Sequence, residues 1–191
     1  IRARGPNPDT YHSVASWNHA GRRINVPAST IGDWGTNPAG VEFVGRGEWM
    51  THHSRIKAVT YTDSTAHLEL MEPDASTLLS ANATWFNYSY RPPFFFESAR
   101  DLLDAPREWY QDSERRIHYR PAPDEDFGSA QCIAPCVETL WRMEGSSLDA
   151  LAQNITVQGL RFMYATWMDP SARGCIEVQA VQCASEAWGP S

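Results

Sequence analysis

Apolar and polar residues alternate with a period of two in several short runs of this chain. VEFVGR (residues 41–46) predicts a strand. RIKAVTYT (55–62) and HLELM (67–71) flank the polar turn DSTA and predict an antiparallel hairpin. EWYQDSERRIHYRP predicts a second hairpin, in which Trp109 and Tyr110 lie across from residues 117–119 around a charged DSER turn. FESARDLLDA changes the period. Phe96, Ala99, Leu102 and Leu103 fall near i, i+3, i+6 and i+7, predicting a short helix near residues 97–104 that Pro106 ends. Residues 74–80 have room for one helical turn. The first forty residues are rich in glycine and proline, so their regular elements must be short.

Beyond the polar connector PAPDEDFG the texture changes. Strand-like runs at 137–143, 155–162 and 176–181 start roughly twenty residues apart, the spacing of stacked solenoid coils. In QNITVQGLRF (153–162) alternate residues would line the interior of a coil, and Gly159 suits a corner or bulge. The expected fold is mainly β: a β-rich, antiparallel, sandwich-like region over 1–125 with one short α-helix, then the first coils of a right-handed parallel β-helix over 126–191. An ordinary sandwich throughout is the alternative.

Composition narrows the function classes. A formal charge of −7, one lysine and scattered arginines exclude the clustered basic face of a nucleic-acid binder. No apolar run approaches the ~18 residues of a membrane span. The chain opens on IRARGPNPDT, with no signal-like apolar segment, so either a signal has been removed or the chain begins inside a precursor. Three glycosylation sequons begin at Asn82, Asn87 and Asn154, where roughly one is expected by chance. The four cysteines, Cys132, Cys136, Cys175 and Cys183, are even in number and lie in the last third of the chain. Their C-x3-C and C-x7-C spacing lacks the usual zinc knuckles, which favours disulfides over a metal site, with free buried thiols as the alternative. Together these features point to a secreted glycoprotein.

The order PPFFFESARDLLDAPREWYQDSERRIHYRPAPDED, IAPCVETLWRMEG, NITVQGLRFMYATW, GCIEVQA resembles secreted right-handed parallel β-helix proteins of the glycoside hydrolase type, the families with xylosidase and fucosidase members. The upstream RARGPNP, ASWNHAGRRI and GDWGTNPAGVEFVGRGEWMTHHSRI resemble the β-rich insertion those proteins carry between early coils. The resemblance implies a polysaccharide or glycan substrate, no cofactor, and catalytic carboxylates on later coils. Two or three coils make a poor domain alone. A second polypeptide or a longer chain is therefore expected to complete the helix, as in a heterodimer. A lectin-like protein and a polysaccharide lyase are the competing classes.

Candidate chemistry is sparse. Glycoside hydrolysis uses two carboxyl groups across the scissile bond. Asp169 in TWMDPS and Glu177 in CIEVQA are the candidates, although Asp-Pro is also ordinary turn chemistry and an outward Glu on a strand needs no function. His52 and His53, adjacent on a strand, face opposite ways and cannot share a metal without a bend, so no metal site is expected. Eight tryptophans offer sugar-stacking platforms or structural plugs for a loop-rich domain. Trp34, Trp49 and Trp167 are the platform candidates.

Overall fold

The computed structural model of the chain describes residues 1–7, 9–46, 51–79, 91, 93–166, 175–178 and 182–183. The chain falls into two compact units, Ile1–Phe127 with Asp169–Ser191, and Gly128–Met168.

The first unit is built on short strands: β1 (Arg4–Gly5), β2 (His12–Ser13), β3 (Ser16–Asn18), β4 (Arg23–Pro27), β5 (Glu42–Arg46), β6 (Thr51–Thr62), β7 (Thr65–Leu70), β8 (Pro93–Glu97), β9 (Glu108–Gln111), β10 (Ile117–Arg120), β11 (Cys175–Val178) and β12 (Gln182–Cys183). The main path runs β1-β8-β5-β6-β7-β4-β3, with β2 on β8 and β11 on β6, while β9 and β10 form a separate hairpin. Every pairing between these strands is antiparallel. The 12-residue β6 serves two sheet regions. Its first half pairs with β5 and its second with β7, and a register shift between Ile56 and Ala58 re-aims the strand between them. Both halves of the path then wrap one core.

That core follows from alternation. In the first half of β6 and throughout β7 every second residue is buried, the pattern of strands with one face packed and one face wet. Phe43 stacks on Phe94 at 4.9 Å, Phe96 meets Phe94 edge-on at 5.2 Å, and Trp34 leans on Phe96 at 4.6 Å. Ile24, Val26, Ile56, Leu68, Leu78 and Leu79 complete the cluster. Each fully buried ring or branched chain contributes about 1.5–3 kcal/mol.

The predicted hairpins form at β6–β7 and β9–β10, and VEFVGR becomes β5. The helix near 97–104 does not form. Phe96 instead belongs to β8, pointing into the core with Phe94, and Ser98 turns the chain at φ 68°. Only a single 3-10 turn, Arg100–Leu102, follows. The α-helix is α1, Asp74–Leu78, within the stretch where one turn was expected. Arg55 fixes its start: the backbone N–H of Arg55 donates to Asp74 Oδ2 at 2.8 Å, and its guanidinium donates to the same oxygen at 3.3 Å and to the Glu72 carbonyl at 2.8 Å.

The second unit holds no regular strand among its described residues. A Ser147–Ala150 bridge, a bond from Thr166 N–H to the Val137 carbonyl at 3.1 Å and a Trp141–Phe162 contact at 5.5 Å tie it together. The left-handed conformations fall at Asn154, Gly159 and Tyr164. Ile133, Val137, Leu140, Ile155, Val157 and Phe162 are all exposed. The described residues show no stack of parallel coils. The third expected coil strand, β11, adds antiparallel to β6, with Cys175 opposite His53 and Ile176 opposite His52. The two earlier runs, 137–143 and 155–162, carry no strand.

Candidate functional site

The sheet of the first unit has a second face, opposite the aromatic core, and it is polar. Alternation along β5 sends Phe43 to the core and Glu42 and Val44 the other way. On β8 it sends Phe94 and Phe96 inward and leaves Phe95 and Glu97 on the polar side. Register then sets neighbours. Glu42 lies opposite Glu97 on one side and Arg55 on the other, and Val44 lies opposite His53.

Two glutamates directly across a strand pair repel, so this arrangement needs a counter-charge. Arg2 supplies it. One guanidinium nitrogen, Nη1, donates to Glu42 Oε1 at 3.1 Å and to Glu97 Oε1 at 2.9 Å. His53 Nδ1 sits 3.4 Å from Glu42 Oε2 and 3.7 Å from Glu97 Oε1. The residues beside Arg2 are held in place by backbone bonds to β9, Ala3 N–H to the Trp109 carbonyl at 2.7 Å and Trp109 N–H to the Ile1 carbonyl at 3.0 Å. The Arg2 guanidinium lies over the Trp109 ring at 5.9 Å. Glu42 and Glu97 are buried, whereas Arg2 and His53 are each about one-third exposed. Burial pushes the Glu97 carboxyl above the usual carboxylate range; Arg2 pulls it back, and the charge of Glu42 adds to the rise. On the opposite face, burial first and the neighbouring His53 second push His52 down to about 3, so it is neutral at physiological pH.

Glu42, His53 and Glu97 present ligand atoms within 4.8 Å of one another, a donor set of the kind that holds a divalent ion. Arg2 already bonds both carboxylates, so its guanidinium supplies the positive charge that such an ion would bring. What the arrangement does is fasten residues 1–4 onto the sheet. It also presents the exposed parts of Arg2, His53 and Trp109 at the surface. Alongside lie Arg4, stacked 3.6 Å over Phe95, and Arg46, whose Nη1 donates to the Tyr11 hydroxyl at 2.6 Å.

The residues singled out in the sequence lie elsewhere. Trp34 is buried at 6% exposure against Phe96, which leaves no open ring face for a sugar. Trp49, Trp167, Asp169, Asn82 and Asn87 lie outside the described residues. Glu177 is on β11 opposite Cys183. Asn154 is exposed and in the left-handed conformation that asparagine tolerates. Cys132 and Cys136 are both free and exposed, and no turn between them folds one back on the other. Cys175 and Cys183 lie on the paired strands β11 and β12. Glu42, Glu97 and Arg2 were not among the sequence candidates. The available signal was a charged residue inside each of two strongly apolar strand runs, VEFVGR and FFFE.

Comparison with known proteins decides the family. The model of the GH141 insertion domain matches residues 1–122, most of the first unit. The chain belongs to the GH141 insertion-domain family. A solved structure titled "Glycoside hydrolase" superposes with a TM-score of 0.80 at 26% identity, over 95% of this chain and 32% of that one. The GH141 insertion-domain chain thus spans about a third of that enzyme's length. No curated protein matches it. These matches make the chain a glycoside hydrolase-type protein, and its polar sheet face is a feature of the insertion domain itself.

Proposed function

We propose that this chain is the insertion region, with flanking scaffold, of a secreted glycoside hydrolase acting on a polysaccharide or other glycan. It contributes scaffold and part of the wall of the substrate groove. The observation that carries this reading is the superposition on a glycoside hydrolase over 95% of the chain. The catalytic acid and its partner carboxylate lie on the remainder of the enzyme, whether on a longer polypeptide or on a second chain. Glu42 and Glu97 are unsuited to that role because both are buried and both are bonded to Arg2. The exposed apolar residues of the second unit, among them Leu140, Trp141, Val157 and Phe162, support a parallel β-helix continued by that remainder, which would cover them. The three sequons support secretion.

The test is the release of reducing ends from a panel of polysaccharides by the full enzyme. Hydrolytic products of defined linkage support the reading. Unsaturated products absorbing in the near ultraviolet would make the protein a lyase, and glycan binding without any product would make it a lectin. Either result removes the proposal.

A further inference from the structure

The polar face of the first unit carries a second cluster that the Arg2 network does not use. Arg4 and Arg46 approach the same tyrosine. Their guanidinium carbons lie 5.4 Å and 5.3 Å from the Tyr11 ring centre, and Arg46 Nη1 donates to the Tyr11 hydroxyl at 2.6 Å. Arg4 is 9% exposed. Its guanidinium is stacked on Phe95, Nε bonds the Pro6 carbonyl at 3.2 Å and Nη2 bonds the Thr10 carbonyl at 3.5 Å. Among the described residues neither arginine is paired with a carboxylate, whereas Arg2 and Arg55, on the same sheet, each are. Two positive charges therefore converge on a neutral phenol, in a chain whose net charge is −7. The hydrogen bond from Arg46, and then the influence of Arg4, favour the ionised phenol and hold the Tyr11 hydroxyl below its usual range.

A neutral oxygen is a poor counter-ion for two guanidinium groups, one of them largely desolvated. Like charges gathered round one ring, with no carboxylate among the described residues to answer them, cost free energy that an anion would recover. Guanidinium forks match planar carboxylates in bidentate geometry. The partly exposed Tyr11 ring beside them offers an apolar edge for a pyranose. We propose that Arg4, Tyr11 and Arg46 form a subsite for an acidic sugar, with its carboxylate taken by the two arginines. This rests on the glycan-directed reading above, which makes the ligand a sugar. The subsite would hold a uronic-acid residue of the glycan.

Calorimetric titration of the full enzyme with a short oligogalacturonide, and with the same oligosaccharide as its methyl ester, tests the proposal. The acid should bind about tenfold or more tightly than the ester, the loss expected when one charge-assisted bond is removed. Arg46→Gln should lose a similar factor for the acid and nothing for the ester. Arg46 is exposed, so this variant keeps the test readable should Arg4→Gln fail to fold. Lys57→Gln, an exposed charge on β6 paired with Glu69, controls for net charge and should bind as the parent does. Equal affinity for acid and ester, or an Arg46→Gln enzyme that binds the acid normally, overturns the subsite. Binding of a sulfated oligosaccharide with no binding of the carboxylated one overturns it as well. A protein that prefers acid to ester but releases no reducing ends keeps the subsite and loses the hydrolase reading. One that hydrolyses glycans with no acid preference does the reverse.

Discussion

Replacing Arg2 by methionine should destabilise the insertion domain by an amount that depends strongly on pH. In the parent, Arg2 Nη1 bonds two glutamates that lie opposite each other on β5 and β8. Their oxygens lie within 4.8 Å, and at an effective dielectric of about 20 two unit charges at that distance repel by about 3.5 kcal/mol. Breaking a buried ion pair by removing one partner generally costs about 3–5 kcal/mol. Arg2 is about one-third exposed, and solvent screening lowers that to about 2–4 kcal/mol. Protonating one carboxyl sets the ceiling. From an ordinary glutamate pKa near 4.3 this costs about 3.7 kcal/mol at pH 7 and about 1 kcal/mol at pH 5, at roughly 1.36 kcal/mol per pH unit. The Glu97 carboxyl is already raised by burial, so its contribution is most favourable below the unfolded pKa and is lost as pH rises through the folded one. Removing Arg2 raises that folded pKa further. Arg2→Met should therefore lose about 2–4 kcal/mol at pH 7 and about 1 kcal/mol at pH 5, read as midpoint shifts in urea unfolding followed by tryptophan fluorescence. Arg2→Lys, which keeps the charge, should recover part of the loss at pH 7. Equal losses at both pH values would refute the argument, because they would mean that Arg2 acts through packing on Trp109 and not through the glutamates.

Phe96→Ala should cost about 3–5 kcal/mol in the same assay, because it empties the centre of the ring cluster formed with Phe43, Phe94 and Trp34; a loss below about 1 kcal/mol would show the core to be looser than described. Asp74→Ala removes the acceptor of three bonds from Arg55 at the start of α1 and should lower stability by about 1–3 kcal/mol, with Asp74→Asn falling between the two. Because the cysteines at 132 and 136 are free and exposed, both should react with maleimide in the folded protein without reductant, which intact mass before and after labelling will show.

Local rules made the hairpins legible and misled at the helix. β7 and β9 are runs whose own alternation matches the face they bury, and β6 and β10 pair with them across turns that carry the residues a turn requires. FESARDLLDA satisfies two periods at once. Phe96 fits a helical stripe with Ala99 and Leu103, and it equally fits a strand face with Phe94 two residues earlier. Tertiary pairing chose the strand, since β8 sits between β1 and β5 and can lay Phe94 and Phe96 against Phe43. Nothing within ten residues of Phe96 records that neighbour. The same limit hid the polar cluster. Arg2 and Glu97 are 95 residues apart and meet only because β1 and β5 both pair with β8.

What the sequence did carry was a pair of charges out of place, Glu42 in VEFVGR and Glu97 after FFF. A charged residue inside an apolar strand run requires a partner of opposite charge, because an unpaired buried carboxylate costs several kcal/mol. That requirement alone predicts an arginine, lysine or histidine on a neighbouring strand, though not which one. Applied in reverse, it gives the arginines at positions 4 and 46 their significance. Here two cations are the unmatched charges, and no carboxylate among the described residues answers them. The chain met the requirement at Glu42 and Glu97 with its own Arg2. At Tyr11 the proposed acidic sugar would supply the compensating charge.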